Sequence, residues 1–108
     1  MIDKSLESHF IKTPEGHPAG GKTTGIGVNI SWQNGNITKN EDGEPVLNGA
    51  TVETVIQCAI TRLDFFQDSN FANEYNARTI TSLQDAIAHL EARTADRKTR
   101  GVEGTYEP

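Results

Sequence analysis

The sequence predicts an α+β fold: a small N-terminal antiparallel β-sheet followed by a C-terminal antiparallel helical hairpin. Three observations predict it. Residues 25–33 alternate in the strand manner, with Ile26, Val28, Ile30 and Trp32 on one face and Gly27, Asn29, Ser31 and Gln33 on the other. Val52, Val55, Ile56, Ala59, Ile60, Leu63 and Phe66 then recur at the i, i+3, i+4, i+7 spacing of an amphipathic helix. Ile80, Leu83, Ile87 and Leu90 repeat that helical spacing further on, and a short connection between two helices favours antiparallel packing.

At 108 residues the chain is expected to be a single domain, 1–108. Residues 1–24 are polar and rich in Gly, Pro and Thr, with Phe10-Ile11 as an apolar pair. They read as a flexible, mostly irregular arm with one short strand near His9–Lys12. Residues 25–47 read as a β-hairpin or small sheet: Asn34-Gly35 is a strong hairpin turn signal, and Asn36 to Lys39 supply a return strand. Asn40 to Gly43 form a second turn, and Pro45, Val46 and Leu47 lead to Asn48-Gly49. Residues 48–105 hold the helical hairpin and a basic tail. Gln67, Asp68, Ser69 and Asn70 separate the two apolar runs. The second helix starts near Asn73, with Glu74 favourable at its N-terminus, and runs to about Arg97 with basic residues at its end. Gly101 stops it.

Composition narrows the function classes. Hydrophobic residues make up 34% of the chain, and ten glycines bring the apolar share to about 43%, slightly under the usual ~45–50%. The core is therefore expected to be shallow, with part of the apolar surface buried against copies of the same chain. The net charge of −5 argues against binding duplex nucleic acid, which needs a broad basic face. Arg93, Arg97, Lys98 and Arg100 nevertheless place four of the ten basic residues close together, which suits a small anionic ligand. Cys58, the only cysteine, is expected on the apolar side of the first helix; no intrachain disulfide is possible, which fits a reducing compartment. The opening Met1-Ile2-Asp3-Lys4 has no apolar core of a secretory signal, and no apolar run is long enough to span a bilayer. The expectation is a cytoplasmic protein away from membranes.

The motifs need weighing. Gly16 to Thr23 matches the P-loop pattern G-x-x-x-x-G-K-[ST], but that pattern holds phosphates only between a strand and a helix, and here a strand follows. His9, His17 and His89 lack partners at metal-ligand spacing, so no metal is implied. Cys58 lies mid-helix among apolar neighbours, where a thiol is ordinary packing, and no Ser-His-acid set stands out. Three groups remain. Asn76 falls on the apolar stripe one turn before Ile80, either capping a backbone group or contacting a ligand. Phe66 continues the stripe of the first helix while Phe65 points elsewhere, as a surface contact or a platform for a base. Arg93, Arg97 and Arg100 either complement the helix dipole or bind phosphate. Aromatic, amide and guanidinium groups together suit a small phosphate-bearing ligand at the hairpin.

Ile30-Ser31-Trp32-Gln33-Asn34-Gly35, Asn48-Gly49-Ala50, Arg62-Leu63, Phe66-Gln67, Phe71, Asn76, Arg93-Thr94, Asp96-Arg97 and Arg100-Gly101-Val102-Glu103-Gly104-Thr105 resemble the Thoeris anti-defence 1 family over about residues 25–105. These are small phage proteins related through their helical hairpin to the anti-CBASS 2 sponges. The resemblance implies a non-catalytic sponge, without cofactor, that sequesters glycocyclic ADP-ribose made by bacterial TIR-domain enzymes in the host cytoplasm. It implies a homodimer or hexamer, and in some members cyclic di- or trinucleotides at a separate site. By position, the ring that stacks on adenine corresponds to Phe66, the amide to Asn76 and the guanidinium to Arg93, with Arg97, Arg100 and Thr105 as further ligand-binding residues. Where the family often reads Cys-Arg-Glu, this chain has Asn73-Glu74-Tyr75, which removes a basic residue. Two rival readings are a protein-interaction or structural oligomerisation module without nucleotide ligand, and a nucleotide hydrolase using Lys22.

Overall fold

The computed structural model describes every residue from Met1 to Pro108. The chain runs β1 (Glu7–Lys12), β2 (Pro18–Thr24), β3 (Asn29–Ser31), β4 (Thr38–Lys39), β5 (Pro45–Val46), α1 (Val52–Gln67) and α2 (Glu74–Thr99). Its contacts sort into two compact units. One comprises Met1–Thr51 with Gly104–Pro108; the other is Val52–Glu103.

The sheet unit holds an antiparallel sheet in the order β1-β2-β3 and a separate two-stranded hairpin, β4-β5. Residues 1–24, expected to be mostly irregular, thus supply two of its three central strands. Their register sets Ser8 opposite Thr23 and Phe10 opposite Gly21, with an irregularity between Phe10 and Lys12. Gly21 has φ +136°, and a Cβ there would collide with the His9 carbonyl oxygen, so only glycine fits. One strand further, Thr23 pairs with Ile30. The buried Thr23 hydroxyl accepts a hydrogen bond from Trp32 Nε1 at 2.8 Å and shares another with Ser8 Oγ at 2.8 Å. A polar node therefore ties all three strands where a larger domain would have an apolar core. The Asp3 carboxylate accepts from Ile26 N, Ser5 Oγ and Ser5 N, and these bonds, Ile26 first, hold its carboxyl below the usual range.

Asn34-Gly35 does not turn a hairpin between residues 25–33 and 36–39. The polar groups it would need are engaged elsewhere. Gln33 N donates to Ala50 O, Ala50 N to Ser31 O, and Trp32 forms a parallel bridge with Ala50. Asn48 holds the Asn34 backbone from both sides, accepting from its N–H and donating to its C=O, each at 2.8 Å. Segment 48–50 thus takes the place of a return strand, and a Cβ at Gly49 would meet Trp32 O at 2.6 Å. The Thr38–Lys39 segment pairs instead with Pro45–Val46, across a turn in which Asn40 Oδ1 accepts from Asp42 N and Glu44 N.

In the helical unit the two apolar stripes pack together as the spacing predicts, except that Val52 and Ala59 of the first stripe are exposed. Ile60 is the one buried apolar side chain of the molecule, 4% exposed. Val55, Ile56, Leu63, Phe66, Ile80, Leu83, Ile87 and Leu90 are half-buried. Cys58, expected among apolar neighbours, is exposed instead: it sits two residues before Ile60, about 200° round the helix. Asn73 caps α2, its side chain accepting from Asn76 N at 2.8 Å. At the other end Gly101 N bonds to Lys98 O and Val102 N to Arg97 O, with Gly101 at φ +73°, the paired pattern of a Schellman stop.

The chain exposes 8374 Å². A compact monomer of 11.8 kDa exposes about 5,900 Å², and two separate compact bodies of half that mass about 7,100 Å². On either reference the surplus reaches or exceeds the ~800 Å² that each partner buries in a standard interface.

Gly21→Ala is expected to destabilise the protein by about 2 kcal/mol or more, through positive-φ strain and the His9 collision. Gly27→Ala meets open space and is expected to change stability by less than about 0.5 kcal/mol. Urea denaturation of the two variants checks this.

Candidate functional site

The hairpin tip is assembled from the last turn of α1, the connection and the first turn of α2. Phe65 and Phe66 meet edge-to-face, with ring centroids 6.0 Å apart. The Arg62 guanidinium lies over both, 4.7 Å from the Phe66 centroid and 5.2 Å from that of Phe65. Phe66 is half-buried, while Phe65 is 62% exposed.

Gln67 organises the connection. Its Oε1 accepts from Asn73 N at 3.0 Å and from Asn76 Nδ2 at 3.1 Å, and its Nε2 donates to Asn73 O at 3.0 Å. Ser69 Oγ donates to Phe66 O at 2.6 Å and accepts from Phe71 N. The Asn76 amide is therefore held in place by its own nitrogen, and its Oδ1 remains available as an acceptor. The bonding of Gln67 is not visible in its spacing, which marks it only as a turn residue.

The basic residues occupy the other end of α2. Arg93 is exposed and makes no ion pair or hydrogen bond within the chain. Arg97 is half-buried and donates from Nη2 to Val102 O at 3.0 Å. Arg100 Nε bonds to Asp96 Oδ2 at 3.0 Å, and Lys98 lies 3.9 Å from Glu103. Thr105 belongs to the sheet unit, where its hydroxyl accepts from Glu107 N at 3.1 Å. Of the three arginines expected at the site, Arg93 is thus the one without a partner within the chain.

These residues form two groups. Phe66 and Asn76 both lie at the tip, where Asn76 bonds to Gln67, the residue after Phe66. Arg93 follows Asn76 on the same helix by 17 positions, about 25 Å at 1.5 Å per residue. A single hairpin does not bring the aromatic-amide pair and the guanidinium onto one small ligand.

Other features set bounds. An open depression of ≈490 Å³ lies on α2 beside the tip, lined by Ala77, Arg78, Thr81 and Ser82. Arg78, a possible replacement for the basic residue missing at 73–75, pairs with Glu74 at 3.4 Å. Lys22 lies inside β2, opposite His9 and Ser31, with no helix N-terminus after it to receive a phosphate. No group of three or more His, Cys, Asp or Glu side chains is placed to hold a metal ion, and no helix is long and apolar enough to cross a membrane.

The family model described as "Acb2/Tad1, hairpin domain" matches residues 25–95, from the turn before β3 through most of α2. Thoeris anti-defense 1 of Bacillus phage SBSphiJ7 is 35% identical over 116 aligned positions, which cover 92% of this chain and 78% of that protein. The β3 edge, segment 48–50, α1, the Asn73 cap and α2 as far as residue 95 fall inside the matched region. The chain belongs to the Acb2/Tad1 hairpin family, together with Thoeris anti-defense 1.

Proposed function

We propose that this protein blocks Thoeris anti-phage defence by sequestering, without turnover, a signal nucleotide of the glycocyclic ADP-ribose class in the host cytoplasm. The observation that carries this reading is the kinship with Thoeris anti-defense 1 across most of both chains. The geometry supports a mechanism. Phe66 stacks on the adenine, Arg62 moving aside or capping the ring. Asn76 Oδ1 accepts from a base or ribose edge, and Arg93 pairs with the diphosphate. Arg97 and Arg100, on the same helix, line the phosphate side, and Thr105 is a further ligand-binding residue by its position in the sequence.

One protomer cannot supply both halves, so the site is composite. Two hairpins packed antiparallel about a two-fold axis would set the tip of each beside the Arg93 end of the other. Such pairing would also cover the half-exposed stripe and the surplus surface. A stacked base contributes about 1–3 kcal/mol and a charge-assisted hydrogen bond about 1.5–3 kcal/mol. Nanomolar binding, near −12 kcal/mol, then needs a site largely formed in advance. The Gln67 network and the association of hairpins provide that preorganisation. Further assembly to a hexamer, and cyclic di- or trinucleotide binding at a separate site, belong to the same reading.

The exposed Phe65, Phe71 and Tyr75, at 62%, 67% and 71%, favour one competing reading, a tip that docks on a protein partner. A thermal shift separates the two. Glycocyclic ADP-ribose at a hundred times its dissociation constant is expected to add about 2.7 kcal/mol, and heat is expected to release the ligand chemically intact. No shift with glycocyclic ADP-ribose, canonical cyclic ADP-ribose or cyclic oligonucleotides would favour the docking module, and a degraded ligand would indicate an enzyme. Phe66→Ala and Arg93→Ala are each expected to weaken binding at least about tenfold with the oligomer mass unchanged. Isothermal titration and light scattering check both.

A further inference from the structure

Backbone groups decide which way the two side-chain amides at the tip point. Asn73 N donates to Gln67 Oε1 at 3.0 Å, and Gln67 Nε2 donates to Asn73 O at 3.0 Å. A backbone N–H cannot accept and a backbone carbonyl cannot donate, so this two-point clamp admits one orientation of the Gln67 amide. Gln67 Oε1 also faces Asn76, and only a donor can bond to it there; Asn76 Nδ2 does so at 3.1 Å. The Phe71 carbonyl oxygen, 3.5 Å from Nδ2, adds a weaker preference of the same sign. Turned round, the Asn76 amide would set its oxygen against two acceptors.

The consequence lies on the other side of that amide. Asn76 is half-buried, and its Oδ1 accepts from no group of the chain. The molecule's one buried side-chain polar atom without a partner is Gln33 Nε2, in the sheet unit, so Asn76 Oδ1 reaches the surface. The clamp, Asn76 and Phe66 all belong to the helical unit. A fixed acceptor is thus presented at the same tip as the Phe66 ring.

We propose that Gln67 makes Asn76 an obligate acceptor, and that the tip thereby selects a purine bearing an exocyclic amine, as adenine does, over one bearing a carbonyl there, as hypoxanthine does. Gln67 is a positioning residue; it acts through Asn76. An exocyclic amine only donates and a ring carbonyl only accepts, so a fixed Oδ1 bonds to the first and repels the second. A ribose hydroxyl does both and would gain nothing from a fixed amide, which is why the polarity points to the base edge. The ligand part of this proposal rests on the sequestration reading given above. The amide orientation does not, and it is read in the ligand-free protein.

The experiment compares the parent with Gln67→Met and Gln67→Glu in the full chain, using glycocyclic ADP-ribose and its hypoxanthine analogue as probes. Both probes carry the same charge, so the ratio of their dissociation constants cancels any change in phosphate binding. The parent is expected to hold the adenine form at least about tenfold tighter, since the carbonyl both loses a hydrogen bond and meets a lone pair. Glutamate still accepts from Asn73 N and Asn76 Nδ2, so Gln67→Glu is expected to keep that ratio. Methionine offers no such acceptor, so Gln67→Met frees Asn76 to turn and is expected to bring the ratio within about threefold. Without ligand, hydrogen exchange of the Asn76 side-chain NH2, followed by NMR, is expected to be about two- to tenfold faster in Gln67→Met than in the parent or Gln67→Glu. The same ratio in the parent and Gln67→Met, or no preference in the parent, would overturn the selection. Asn76 exchange as fast in the parent as in Gln67→Met would overturn the clamp. A parent that binds neither probe would overturn the sequestration reading and the selection with it, while the exchange measurement still decides the clamp.

Discussion

The shortage of buried apolar surface governs this molecule. Ile60 alone is a buried apolar side chain, and both helical stripes are only half covered. Hydrophobic burial at about 25 cal/mol per Å² is the main favourable term in folding, and this is why the proposed function joins hairpins of two protomers. Local geometry is set by polar nodes instead. Thr23 joins β1, β2 and the Trp32 ring; Gln67 joins α1 to the cap of α2. Each such hydrogen bond contributes only about 0.5–1.5 kcal/mol net, yet its loss leaves a partner unsatisfied at about 1–3 kcal/mol. The nodes specify conformation more than they supply stability.

That division also suits sequestration. A protein that acts stoichiometrically gains nothing from turnover and much from slow release. The tip presents an aromatic ring and an amide already fixed by Gln67, and the opposite end of α2 presents Arg93 without an internal partner. Neighbouring cations are less open: Arg97 is bonded to the Val102 carbonyl and Arg100 to Asp96. Under the proposed composite site, splitting the two halves along one helix would make ligand binding depend on assembly.

The helical hairpin was legible from the sequence because its signals are local. The 3.6-residue period, Asn73 as cap and Gly101 as stop lie where the spacing puts them. The sheet was legible only as a class. The short strand expected near His9–Lys12 lies in β1, whereas β2 escaped notice because its stabilisation is a side-chain node and a glycine contact, and Gly20, Gly21, Thr23 and Thr24 carry no apolar alternation. Asn34-Gly35 misled because turn propensity is local, whereas the Asn48 amide that claims its backbone is fourteen positions away. At the site, residue types were readable and their grouping was not. Asn76 serves both as a framework donor to Gln67 and as a potential acceptor, uses that the pattern alone left as alternatives. The 17-position gap between Asn76 and Arg93 was present in the sequence, but it becomes a constraint only once both residues lie on one unbroken helix.

The central claim is that each ligand site joins the tip of one protomer to the Arg93 end of another. Co-expression of Phe66→Ala and Arg93→Ala chains under different affinity tags, followed by tandem purification, isolates the mixed dimer. A composite site regenerates one intact copy per mixed dimer, so titration with glycocyclic ADP-ribose should recover parent-like affinity at half the parent stoichiometry. A mixed dimer that binds no better than either variant alone would contradict the account, because sites contained within one protomer cannot be rebuilt by exchange.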